Sequence, residues 1–188
     1  MDTQNLLRGA PKGDVTVKDD RLQIVFRRRY AKPVAKVWAA LTTAERLADW
    51  FGAAKIDLRV GGTLHLTFAN GKSAAFSITR VDAPHVLGWS WMIDGLNTSV
   101  LFELAPDGDG CQLTLTHSGL SARNGRGAGV RAGWHAILEG LADSLDGRTT
   151  PWAVKEQRET AVAPLYPPLP ARPPNRYLPP PSGTEASR

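Results

Sequence analysis

Residues 130–145 read VRAGWHAILEGLADSL, and within them Val130, Trp134, Ile137, Leu141 and Leu145 fall at i, i+4, i+7, i+11 and i+15. That recurrence draws one apolar stripe along a helix of about four turns. Arg131, Glu139 and Asp143 lie largely off the stripe. A helix with one apolar face needs a second layer to bury it, and the upstream sequence supplies one. From about residue 55 the apolar period becomes two, in segments 55–60, 63–69, 72–81, 86–93, 98–105 and 111–118. Six strands follow from that alternation.

Turn residues separate the segments: Gly61 with Gly62, Asn70 with Gly71, Ala83 with Pro84, Asp94 with Gly95, and Asp107 to Gly110. Asn-Gly provides the positive φ angles of a type I′ turn, so the strands flanking Asn70 and Gly71 are expected to pair as a hairpin. Upstream, residues 21–30 also alternate, with Leu22, Ile24, Phe26 and Arg28 on one face. After Pro33, the residues Val34, Val37, Trp38 and Leu41 recur at helical spacing. Thr42 and Glu45 have the spacing of a capping box for a second short helix through Trp50. The expected architecture is α+β: a strand, two short helices, a curved antiparallel meander, and a long C-terminal helix wrapped by the sheet.

Of 188 residues, 42% are hydrophobic, enough for one domain with its own core. The net charge of +5 raises nucleic-acid binding, but the only basic run, Arg27 to Arg29, lies in a strand that sends neighbours to opposite faces. The charge reads as a solvated surface, with no nucleic-acid partner. Cys111 is the single cysteine, which excludes an internal disulfide framework and fits a cytoplasmic location. Residues 1–20 contain no apolar run suited to a signal peptide or membrane span. Ten of the fourteen prolines fall between Pro151 and Pro181. The expected organisation is an N-terminal extension over 1–19, a domain over 20–147, and an irregular Pro-rich tail over 148–188, mostly outside the core. Leu165, Tyr166 and Leu169, flanked by prolines, could dock on an aromatic groove, fold back on the domain, or belong to a plain extension.

Tyr30, Pro33, Val37, Trp38 and Leu41, followed by Asp49, Trp50, Phe51 and Gly52, resemble the opening of the START-like (SRPBCC) superfamily. More narrowly, the chain is similar to bacterial homologues of the heat-shock-chaperone ATPase activator. Later matches are 57–62 with its paired glycines, 87–91, 113–119, and Gly133, Trp134 and His135 leading into a Leu-rich helix. The resemblance implies a helix-grip (Bet v 1-like) fold. Related domains include lipid carriers, hormone receptors, polyketide cyclases and co-chaperones, so activity has to be argued from the site.

On alternation, the inward faces carry Phe68, Phe76, Trp89, Trp91, Phe102 and Leu115, closed by Trp134 and Ile137 from the helix. These are the expected ligand-binding residues of a cavity of about 300–1,000 Å³, the size of small-ligand sites. Each also reads as ordinary close-packed core. His117 shares the parity of Leu113 and Leu115; it reads as a polar group at the cavity mouth or as a strand-end histidine facing water. His135 lies beside the helix stripe, while His65 and His85 read as surface residues. No histidine and carboxylate spacing suggests a metal, no cofactor motif is present, and Cys111 lacks an identifiable base. Gly125, Gly127 and Gly129 read as a flexible lid or linker.

The leading functional reading is a noncatalytic binding module for an apolar or amphipathic small molecule. Two alternatives stand beside it: a chaperone-interacting protein, and a cyclase- or hydrolase-type enzyme in which His117 moves protons with Asp94 or Glu103.

Overall fold

The computed structural model describes residues 12–68, 71–122 and 126–168. Its eight strands are β1 Asp14–Lys18, β2 Arg21–Tyr30, β3 Ala53–Ile56, β4 Thr63–Thr67, β5 Ser73–Asp82, β6 Val86–Ile93, β7 Leu96–Asp107 and β8 Gly110–Ser121. The helices are α1 Val34–Thr42, α2 Ala44–Trp50, α3 Arg126–Leu145 and α4 Trp152–Val162, the last followed by a 3-10 turn, Ala163–Leu165. One curved sheet runs β1-β2-β8-β7-β6-β5-β4-β3, antiparallel at every pair. The long helix α3 packs against α1, α2, α4 and the strands β2 and β8. This is the α+β helix-grip arrangement.

Alternation sets what faces the core. Leu22, Ile24, Phe26, Arg28 and Tyr30 of β2 are all buried while their odd-numbered neighbours are not, so the face containing Arg28 is the inner one. Register then brings inner side chains side by side: Phe26 and Phe102 both oppose Leu115, and Trp89 opposes Val100. At the tip of β6 and β7, Asp94 (φ 51°) and Gly95 (φ 74°) form a two-residue connection with both angles positive, as a type I′ turn requires.

The hairpin joining β4 and β5 forms with a different loop from the one expected. Phe68 N donates to Lys72 O at 2.8 Å and Gly71 N to Phe68 O at 2.9 Å, with Gly71 at φ 79°. Three residues therefore lie between the paired positions, and Gly71 takes the left-handed position that closes such a loop. Asn70 lies outside the described residues.

The expected capping box also does not form. The N-cap of α2 is Thr43, and its hydroxyl donates back to Ala39 O at 3.0 Å, as the Thr42 hydroxyl does to Trp38 O at 2.7 Å. With α1 and α2 abutting, both hydroxyls are taken by the carbonyls of the last turn of α1.

Larger departures come at the two ends of α3. Gly127 and Gly129, read as lid or linker, belong to the first turn of the helix. A Cβ at Gly127 would lie 2.4 Å from Leu22 Cδ1, so glycine allows the helix start to approach β2; Gly125 is outside the described residues. On the expected stripe, Trp134 and Leu141 are buried, but Val130, Ile137 and Leu145 are only half-buried. Arg131, Glu139 and Asp143, expected off the stripe, are buried instead. Much of the reason is α4, which covers a second side of α3. Proline content averaged over 148–188 conceals a helix, because residues 152–163 contain no proline and stand between Pro151 and Pro164. Val162 and Tyr166 enter the core. Residues 169–188, with the rest of the expected tail, lie outside the described residues.

Candidate functional site

Trp134, on α3, is the centre of the interior. Its ring lies 5.7 Å from Trp91 and 6.0 Å from Phe102; Trp89 is 5.1 Å from Phe102, and Phe76 is 5.1 Å from Trp91. Leu115 is fully buried in the same core. Five of the nine expected lining residues are thus assembled into one aromatic group beside Leu115, with rings at separations where edge and tilted contacts are favourable.

His117 belongs to that group and is enclosed by it, neither at a mouth nor facing water. It is fully buried, stacked on Trp91 at 5.6 Å with planes 13° apart. The Trp134 indole Nε1–H donates to His117 Nδ1 at 2.9 Å. An indole can only donate, so Nδ1 is the acceptor and the ring proton sits on Nε2. Nε2 is 2.9 Å from Thr98 Oγ1, whose own hydroxyl donates to Trp91 O at 2.6 Å. Every hydrogen-bonding position of the imidazole is used. Burial pushes its pKa down to about 4, and protonation at Nδ1 would set N–H against N–H.

Among the described residues these rings interdigitate and stand in contact with one another. A small cavity of about 60 Å³, open to solvent where Glu156 and Glu159 of the lining are exposed, lies to one side. Phe68 and Ile137 line it, together with Phe51, Gly133 and Ala136. Trp152, Lys155, Glu156 and Glu159 of α4 complete the lining. They sit at i, i+3, i+4 and i+7, one face of the helix. The Trp152 ring rests 5.5 Å from Phe68, and its Nε1–H donates to Glu156 Oε1 at 2.7 Å.

Lys155 is the group that sequence reading missed most plainly. It is only 8% exposed, and its Nζ donates to Trp50 O at 3.0 Å and Phe51 O at 3.3 Å. Those carbonyls belong to the C-terminal end of α2, where a helix has unpaired acceptors and a partial negative charge. Nζ also lies 4.8 Å from the centre of the Trp152 ring. Burial brings its pKa down to about 8. Glu159 is shifted upward by burial and then by the neighbouring Glu156 carboxylate. The available signal was a proline-free window with Trp152, Lys155 and Glu159 at helical spacing.

Two carboxylates hold this cap in place. Asp143 accepts from Arg148 and Arg158 at 2.7 Å each and from Thr150 at 3.0 Å. Asp49 accepts from Ser144 at 3.2 Å and Thr149 at 3.0 Å. At the far end of α4, the Tyr166 hydroxyl lies 2.7 Å from His135 Nδ1, and Arg131 donates to Pro167 O at 2.7 Å. His135 is buried, and burial followed by the charge of Arg28 lowers its pKa to about 4. No helix among the described residues is long and apolar enough to cross a membrane.

A family model described as activator of Hsp90 ATPase homolog 1-like protein matches residues 31–146, ending before α4. The structure is similar to the crystal structure of CalU16 from Micromonospora echinospora, with 30% identity, a TM-score of 0.61, and coverage of 82% of this chain and 95% of CalU16. It is also similar to EF2215 from Enterococcus faecalis, a conserved protein of unknown function, at 18% identity and a TM-score of 0.69, covering 87% and 97% of the two chains. DynU16, from the dynemicin biosynthetic locus, shares 24% identity over 72% of this chain and 51% of its own, with a TM-score of 0.65. The last two likenesses bear on the fold alone. No curated protein matches the chain.

Proposed function

The chain belongs to the activator of Hsp90 ATPase homolog 1-like family, and on that premise we propose that it is a binding module for an apolar or amphipathic small molecule. The ligand lies between the sheet and α3, beneath α4. The observation that supports this reading is the cavity bounded by Phe51, Phe68 and Ile137 and roofed by Trp152 and Lys155. Its volume of about 60 Å³ is room for about two water molecules. A ligand of several carbon atoms therefore enters by taking the place of Trp152 against Phe68. That exchange is feasible because the Trp152 indole N–H is bonded within its own helix, to Glu156.

Proton transfer by His117 has no part in this reading, since both ring nitrogens are engaged inside the protein. Titration with the neutral fluorescent probe N-phenyl-1-naphthylamine tests the proposal. Trp152→Ala should bind the probe several-fold more tightly than the native chain, because its roof no longer competes. Absence of uptake by both proteins would overturn the assignment.

A further inference from the structure

Lys155 and Glu159 stand four residues apart on α4, a spacing at which opposite charges on a helix commonly pair. Here they do not pair. Nζ is turned to the carbonyls of Trp50 and Phe51, and burial alone accounts for its shifted pKa, with no carboxylate contributing. Glu159 is directed across the cavity toward α3: a Cβ added at Gly133 would come within 3.8 Å of its Oε1. Both residues line the same cavity of about 60 Å³, one on the α2 side and one on the α3 side, with the apolar Phe51, Phe68, Ala136 and Ile137 around them.

The cavity thus carries a buried donor, Lys155, at one wall and an acceptor, the exposed Glu159, where it opens to solvent. An anionic head group would suit Lys155 and be opposed by Glu159; a cationic one would do the reverse. A hydroxyl has both functions on one oxygen, so a single atom would have to serve both partners. A carboxylic acid meets the requirement only until it ionises, which it does well below neutral pH. A carboxamide stays neutral and places its acceptor and donors on separate atoms. Glu156, the remaining charged group of the lining, is already bonded to the Trp152 indole.

From this juxtaposition we infer that the cavity takes a small apolar carboxamide, its carbonyl oxygen accepting from Lys155 Nζ and its N–H donating to the Glu159 carboxylate. The inference rests on the binding reading given above and specifies the head group. The apolar remainder of the ligand extends along Phe68 into the place of Trp152.

Calorimetric titration of the full chain at pH 7 with hexanamide, hexanoate, hexylamine and 1-hexanol provides the test. Hexanamide should bind about tenfold more tightly than each of the other three, the gain expected of added hydrogen bonds to charged groups. Lys155→Met should shift the preference toward hexylamine, and Glu159→Leu toward hexanoate. In both variants hexanamide should fall to within about threefold of 1-hexanol, having lost one charged partner. The order of the four ligands on the native chain decides the matter even if a variant does not fold. Hexanoate or hexylamine binding best, or hexanamide no better than 1-hexanol, would overturn the head-group inference and leave the binding reading intact. No binding of any of the four would overturn both.

Discussion

At the scale of single residues, His117 shows how far parity carries an argument. Alternation along β8 correctly put it on the inner face with Leu113 and Leu115. What alternation could not show was its partners, because Thr98 is 19 residues upstream and Trp134 is 17 downstream. The bonds that use up its nitrogens are tertiary, so a group with an ordinary acid–base range read as a candidate for chemistry. The structure makes it a neutral packing group, with consequences for acid stability. The folded pKa of about 4 lies below an unfolded value of about 6.5. The stabilisation is therefore complete above about pH 6.5 and declines as the pH falls toward 4. Over that window the loss is about 3 kcal/mol. His117→Gln should flatten this acid slope in urea unfolding midpoints, with destabilisation at pH 7 of roughly 1–3 kcal/mol from the disturbed Trp134 bond. An unchanged slope would show that His117 does not titrate in this window. In nitrogen NMR of the native chain, Nδ1 should carry no proton at pH 7.

At the scale of elements, strands β2 and β4 to β8 and the helices α1 to α3 were legible, because each carries its own period of two or 3.6, whereas β3 forms over Ala53–Ile56 and not over 55–60. Two elements escaped: β1, which lies within the expected N-terminal extension and pairs with β2, and, more consequentially, α4. Its apolar residues are few, and the surrounding prolines dominate any average over the tail. Its stability comes instead from polar contacts with distant residues, which local periodicity does not encode. Asp143 is the chief of these. Burial works to raise its pKa, but hydrogen bonds from Arg148 and Arg158 outweigh it and hold the carboxyl below its usual range. The stabilisation is thus present above about pH 4 and lost as the pH falls through the lowered value. Replacing Asp143 by Asn would leave Arg158, 12% exposed, without its carboxylate. The expected cost is about 3 kcal/mol, near the range for breaking a buried pair. Hydrogen exchange should accelerate across 152–162 more than in the sheet. Equal protection of α4 in the variant would mean that Asp143 does not anchor it.

At the scale of the whole molecule, the fold was legible and the free volume was not. Five large aromatic side chains were compatible with lining a cavity or with packing together, and their ring separations, near 5 to 6 Å, put them in contact with one another. The proposed ligand space is at the periphery of the core, where α4 crosses Phe51, Phe68 and Ile137. The family match ends at residue 146, so this roof is contributed by residues beyond the matched region. If α4 serves as a roof, a chain ending at Thr150 should keep a cooperative melt, since the sheet and the Trp134 cluster remain. Its melting temperature should fall by about 10 °C, since Val162 and Tyr166 leave the core and each buried side chain is worth about 1.5–3 kcal/mol. It should also bind N-phenyl-1-naphthylamine more strongly than the full chain, because the apolar face under α4 is then open to solvent. A cooperatively folded truncated chain that binds the probe no better than the full chain would show that α4 is not what limits access to the interior.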